Sequence, residues 1–358
     1  MSSSVPSQPA AKNTANTALL LAIACLIVGI VAWTIWPWLR PSQPTPVNVA
    51  DAKAAGQSTA PANTPPVRSA AEVTAAVDAV LNAAITLTRE DKVAQAETML
   101  REATNTYPTE ARVWAQLGEV LTAQRKLDEA ATAYETAVSH AGNDTQIVLA
   151  AAALMNAANK PERAAELYAL AVKLSPNDAK PPLFLSQIEL KLGRTTEAKK
   201  NLLLAAQLDP TIAVAWGSLA DIALRENALE IALQHIAKAR ALVPENTVYR
   251  LIEARILKRK NQPREALQLL TGLTPEQRRE PGVLPLMTEC LGMLGKPGDA
   301  AALYKEAIDA DPSNTKLLIE GVAWRERAGD KAGAIEWAER AKLLSAPNAA
   351  ELVERLKK

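Results

Sequence analysis

The fold class predicted by this sequence is all-α, a solenoid of about eight stacked helix-turn-helix units. Three observations predict it. From residue 77 onward the chain repeats every 34 residues, a period that marks stacked supersecondary units. The period divides into two helix-length segments, with Gly or Asn between them in six units and Pro near the end in five. The composition, 48% hydrophobic and 22% charged, is that of a chain able to bury a core along its whole length.

The N-terminal part is different. No charged residue lies between Lys12 and Arg40, and residues 17–39 read TALLLAIACLIVGIVAWTIWPWL. As a helix this stretch would span about 34 Å, enough to cross a hydrocarbon core. Trp33, Trp36 and Trp38 crowd one end, where amphipathic rings favour the headgroup layer. The apolar run is longer than a signal-peptide core and ends in Trp-Pro-Trp-Leu-Arg rather than small residues, so a single-pass anchor in the bilayer is expected over a cleaved leader. Ala22-Ile23-Ala24 is a poor lipoprotein box before Cys25. Lys12 on one side is nearly balanced by Arg40 and Lys53 on the other, so the positive-inside rule leaves the orientation close to a tie. The short tail and the tryptophan belt favour an outside C-terminus, and a cytoplasmic orientation stays open. Residues 40–70 hold Pro41, Pro44, Pro46, Pro61, Pro65 and Pro66 among Ala, Ser, Thr and Gln, the composition of a disordered or polyproline-like spacer.

The repeat is marked by alanine. Ala96, Ala130, Ala164, Ala198, Ala232, Ala266, Ala300 and Ala334 are 34 apart without a gap. Seven residues later come Ala103, Ala137, Ala171, Ala205, Ala239, Ala307 and Ala341, with Leu273 the one exception. Between them sits Leu100, Tyr134, Tyr168, Leu202, Ile236, Leu270 or Tyr304. Small residues let two helices approach closely, and a larger one fills the next groove. Five residues before the marker stand Asn159, Gly193, Asn227, Asn261, Gly295 and Gly329, residues that tolerate the left-handed backbone of a helix end. The units run 77–110, 111–144, 145–178, 179–212, 213–246, 247–280, 281–314 and 315–348.

This pattern resembles the tetratricopeptide repeat. Trp114, Leu117, Gly118, Leu121, Ala130, Tyr134 and Ala137 follow its scheme in one unit, and Trp216, Leu219, Ala232, Ile236, Ala239 and Pro244 follow it in another. The resemblance implies a right-handed α-solenoid whose first helices line a concave groove. By position it would place Leu183, Phe184 and Gln187 in that groove in the fourth unit, Asp221 and Arg225 in the fifth, and Arg255, Lys258 and Arg259 in the sixth. The Lys/Asn clamp by which some relatives hold chaperone tails is not matched: Asp78, Leu81, Ile85, Arg112, Ala115 and Glu119 occupy those slots.

Two units depart from the pattern. The sixth runs into Thr274-Pro275-Glu276-Gln277, which reads as an N-cap with Pro at the first helical position and a new short turn. The seventh carries Pro285 inside its expected first helix, so a bend is expected near 273–285. At the C-terminus Asn348-Ala-Ala-Glu351 looks like a capping box, with Lys357 and Lys358 near the helix C-terminus, so residues 349–358 are expected to form a solvating lid helix.

Little in the sequence carries chemistry. Two Cys and two His leave no metal-ligand cluster. Gly292-Met-Leu-Gly295-Lys296-Pro-Gly298 looks like a phosphate loop fragment, but it lacks the full motif and falls on the inter-helix turn slot of its unit. His140 and His235 are isolated, and Cys290 lies among Met287, Leu291 and Leu294, a setting for a packed thiol. No catalytic residue, cofactor or metal is expected. A net charge of +1 and 4% aromatics with one Phe give neither the field nor the stacking surface that nucleic acid requires.

One charge asymmetry stands out. The sixth unit carries eight cations against four carboxylates, while the first carries three against six. A protein or peptide client with an acidic segment would suit the sixth unit. The expected function is a membrane-anchored scaffold that binds clients in its groove and assists assembly of a membrane complex. The layout resembles bacterial inner-membrane assembly factors, cytochrome c maturation among them, with the repeats in the periplasm. A cryptic enzyme or regulatory subunit and a purely structural tether remain as alternatives. The sequence does not set the oligomeric state.

Overall fold

A computed structural model describes residues 69–358 apart from Gly142 and Pro281. The expected anchor over 17–39 and nearly all of the spacer lie outside the described residues. All eighteen described elements are helices. Sixteen form eight pairs: α1 Ala70–Arg89 with α2 Val93–Thr106, α3 Ala111–Ala123 with α4 Leu127–His140, α5 Thr145–Ala157 with α6 Pro161–Leu174, α7 Lys180–Lys191 with α8 Thr195–Leu208, α9 Ala213–Arg225 with α10 Leu229–Leu242, α11 Thr247–Arg259 with α12 Pro263–Thr271, α14 Val283–Met293 with α15 Pro297–Ala310, and α16 Thr315–Arg327 with α17 Lys331–Leu343. The short α13 Pro275–Arg278 follows α12, and α18 Ala349–Lys357 ends the chain. The molecule divides into two compact units, ending at Leu174 and beginning at Ser175.

Within each unit the long helices pack each on the next, α12 directly on α14, and successive first helices also touch: α1 with α3 and α3 with α5 in one unit, α9 with α11 and α11 with α14 in the other. The alanine series explains this closeness. All eight marker alanines are fully buried, and the second series, including Leu273, is also in the core. A methyl group at these positions is the most that the approach allows. Glycine extends the same device. A Cβ at Gly118 would lie 2.6 Å from the Tyr134 ring, and one at Gly321 would lie 2.7 Å from the Trp337 ring, so the aromatic lies flat against the backbone.

The inter-helix turn has one backbone requirement in every unit. Asn159, Asn227, Asn261, Gly193, Gly295 and Gly329 all have positive φ, as do Asp91 and Arg125 in the same slot of the first two units. Repeat geometry thus imposes the left-handed conformation even where the residue does not favour it. A second link recurs in three units, from the first helix back to the turn before it. Trp114 Nε1 donates to the Pro108 carbonyl at 2.8 Å, and Trp216 Nε1 to that of Pro210 at 2.9 Å. In the sixth unit Arg250 stands in the tryptophan slot and donates to the Pro244 carbonyl.

The irregular segment follows partly as expected. Thr274 caps α13 in a full capping box with Gln277, and Pro275 is its first residue. Pro285 does not interrupt a helix. α14 begins only at Val283, after Gly282 at φ +89°, so Pro285 is its third residue, where a backbone N–H would have no intrahelical acceptor. The C-terminal capping box is absent: Asn348 is left-handed at φ +62° and makes no side-chain cap. Asn serves both roles, and the turn geometry selects the second. α18 still covers the end of the second unit, burying Ala349, Val353 and Leu356, while Lys357 pairs with Glu339 at 2.7 Å.

One described helix, α1, is long and apolar enough to cross a membrane by length and composition. It is a repeat helix: Ser69 and Glu72 form its capping box, Val77 and Ala84 are fully buried, and it packs on α2 and α3.

Candidate functional site

The first helices of residues 175–358 carry the charged groove slots. Position nine of successive units is Gln187, Asp221, Arg255 and Glu289, and position thirteen is Lys191, Arg225, Arg259, Met293 and Arg327. Helical spacing places i and i+4 on one face. The two columns are therefore adjacent.

Seven residues were expected there, and the structure treats them differently. Phe184 is half-buried and Gln187 exposed on α7. Asp221 and Arg225 pair with each other on α9 at 2.6 Å, so that turn offers a closed ion pair. Arg259 of α11 donates to the Leu224 carbonyl at the end of α9, joining two first helices. Arg255 is exposed and reaches toward Gly282 at the start of α14: a Cβ there would lie 2.8 Å from its Nη2. Lys258 pairs with Glu289 of α14.

Of the seven, Lys258 lines a cleft around Trp324. That cleft has a volume of about 780 Å³ and is completed by Glu289, Gly292, Met293, Gly295, Pro297, Trp324 and Arg327. Its floor is apolar. Trp324 is 8% exposed, and a Cβ at Gly292 would come 2.7 Å from its ring. Met293 stands out at 47% exposure. Arg327 stacks its guanidinium carbon 4.6 Å over the Trp324 ring, a cation–π contact, and no carboxylate lies within ion-pair reach of it among the described residues. Sequence reasoning missed Met293, Trp324 and Arg327. The signal for Arg327 was available, since it shares the column of Arg225 and Arg259.

The remaining chemical candidates are structural. Cys290 is fully buried and burial pushes its thiol up, the opposite of a reactive cysteine. His235 stacks on Trp216 with centroids 5.6 Å apart, and Lys238 lies 3.9 Å over the same indole. Burial, with Lys238 and Lys199 nearby, lowers the His235 pKa. No cluster of three metal-ligating side chains occurs among the described residues. Of the glycines in 292–298, Gly292 lies in α14 and Gly298 in α15, and Gly295 makes the left-handed turn between them.

Comparison with known proteins identifies the repeat. Tetratricopeptide repeat models match residues 81–146 and 293–350, and a second such model matches 183–212. No curated protein matches the chain in sequence. Among solved structures, the chain is similar to pilF of Pseudomonas aeruginosa, at 19% identity and a TM-score of 0.48, over 60% of this chain and 96% of that one. PilW, described as a widely conserved type IV pilus biogenesis factor, is 17% identical with a TM-score of 0.47, over 59% and 98%. YrrB, described as a TPR protein with an unusual peptide-binding site, is 17% identical with a TM-score of 0.44, over 54% and 98%. Residues 81–146, 183–212 and 293–350 are thus tetratricopeptide repeats, and the eight helix pairs follow the same plan.

Proposed function

We propose that this protein is a non-enzymatic adaptor held at a membrane, which binds a client protein on the first helices of residues 175–358 and assists assembly of a membrane-associated complex. The observation that carries this reading is the cleft around Trp324. It combines an apolar floor, an exposed Met293 and an ion-unpaired Arg327, and a peptide-binding groove needs such an apolar body with a few placed polar groups. Residues 17–39 supply the anchor, and the Pro-rich stretch after them supplies reach of up to about 3.1 Å per residue. A bacterial inner-membrane setting with the repeats in the periplasm accords with the short N-terminal tail and the tryptophan belt. There, assembly of c-type cytochromes is one process that needs extended chains held beside a membrane.

A photo-crosslinking amino acid at Met293 of the full chain, expressed in its host, tests the adaptor role. The expected result is a discrete cross-linked species that is lost when Trp324→Ala is added, and that is absent when the probe sits at Glu162. Equal labelling at both positions, or none at Met293, would refute it. Reporters fused after Lys358, one active only outside the cytoplasm and one only inside, test the orientation; signal from the inside reporter alone would remove the periplasmic setting.

A further inference from the structure

Resting on the adaptor reading, we infer that the Trp324 cleft selects an acidic client segment with an apolar anchor, and that Glu289 is a built-in placeholder for the client's carboxylate. Consider the charges around the cleft. Lys258 and Arg327 stand in its lining against a single carboxylate, Glu289. On the same helix as Lys258, Arg255 lies one turn earlier and Arg259 one residue later, and neither has an ion-pair partner among the described residues. Two cations therefore line the cleft against one acid, with two further cations on the neighbouring turn of α11 outside its lining. Lys258 is already engaged by that acid, and Glu289 is 52% exposed. An ion pair this open contributes about 0–1 kcal/mol, so an incoming carboxylate can displace it at little cost. Arg327 is held in place by the indole rather than by an acid. Its five donors are left for a ligand carboxylate, which they can engage in bidentate fashion. Between these two cationic points Met293, Pro297, Gly292 and Trp324 offer the apolar floor, which takes one aliphatic or aromatic side chain of the client.

Charge also decides against the nearest alternative occupant. Residues 1–68 contain Lys12, Arg40, Lys53 and Arg68 against Asp51 alone, so the chain's own N-terminal segment carries the sign that this cleft repels.

The test starts from a random peptide library displayed against the full chain in detergent, followed by anisotropy with the enriched peptides labelled with fluorescein. Enriched peptides are expected to place Asp or Glu around a Leu, Phe or Trp, and to bind less tightly as salt rises. Glu289→Gln should tighten them about three- to tenfold, the equivalent of up to about 1.4 kcal/mol, a gain that misfolding cannot produce. Arg327→Ala should weaken them about tenfold, and Arg327→Lys should recover part of that loss. Neutral or basic peptides that depend on Trp324 would overturn the inference while leaving the adaptor reading intact. Acidic peptides indifferent to Glu289→Gln would overturn the placeholder. A failure to enrich any peptide would remove both. Light scattering that shows a dimer broken by Arg327→Ala would assign the cleft to a second copy, and would overturn the acidic client.

Discussion

In residues 69–174 Arg101 binds Glu97 and Glu129, Arg112 binds Glu110 and Asp78, and Arg163 binds Glu135 and Glu166, while Lys126 joins Arg101 on Glu97. The Asp78–Arg112 pair joins two successive first helices, in the slots where clamp residues would stand in a tail-binding relative. On the first helices of residues 175–358 the same kind of slot holds Arg255, Arg259 and Arg327 without ion-pair partners among the described residues, and Arg327 lines the cleft. Both regions are built on one repeat with one set of buried alanines. Packing is therefore common to the two; Arg89 of α1 stands in the same column as Arg327 and likewise has no ion pair among the described residues, so what sets the second region apart is the apolar floor of Trp324 beside its cation.

If packing is common, it should fail equally. Leu121→Ala in the first unit and Ile256→Ala in the second remove side chains that are essentially fully buried, and each should cost about 2–5 kcal/mol by urea unfolding. A marked inequality would show that one unit relies on something besides its alanine-lined core. Glycine substitutions sharpen the contrast. Gly118→Ala and Gly292→Ala both drive a Cβ into an aromatic ring and should each cost about 1–3 kcal/mol. Only Gly292→Ala should also weaken peptide binding, because it displaces the Trp324 floor.

Acid should separate the units next. Burial, with Lys238 and Lys199 beside it, lowers the His235 pKa from 6.5. The unfolded chain then takes up this proton first, so stability present above pH 6.5 is lost as the pH falls below it. Glu97 behaves otherwise: its hydrogen bond from Lys126, aided by Arg101 and Gln124, holds its pKa down to about 2 from 4.5. Its contribution persists until about pH 4.5 and is lost between there and about 2. Hydrogen exchange against pH should therefore show the second unit loosening first. His235→Gln should flatten the upper part of the curve and Glu97→Gln the lower part.

The smallest effect concerns the inter-helix turn. Arg125 occupies with φ +62° the slot that Gly193 fills at +74°. A left-handed L-residue costs about 1–2 kcal/mol, part of which glycine recovers. Arg125→Gly should stabilise by less than about 1 kcal/mol, and Gly193→Ala should destabilise by a similar amount; both are readable by thermal melting.

The fold was legible because alanine has one packing meaning when it recurs at a helical contact: close approach. The turns were legible where Asn or Gly supplied them. Asp91 and Arg125 carried no such signal, since repeat geometry rather than residue preference sets their φ. Arg250 shows a related limit: it takes over a tryptophan's hydrogen bond to a proline carbonyl, a substitution that no pattern of residue types announces. Asn348 misled because one residue type suits both an N-cap and a left-handed turn. For the site, Lys258 could be placed by repeat position, but the cleft depends on the indole of Trp324 lying over Gly292. That is a tertiary fact. Pro285 and Trp324 could each be seen in the sequence, but not that α14 starts at Val283 or that Trp324 shares one floor with Gly292 and Pro297.

The central claim is that client binding belongs to the first helices around Trp324. Hydrogen exchange of the full chain, with and without a peptide enriched on it, tests this most directly. The account predicts slowed exchange in residues 247–259, 283–293 and 315–327, with 111–123 and 145–157 unchanged. Protection centred on 111–157, or spread evenly over both units, would contradict it.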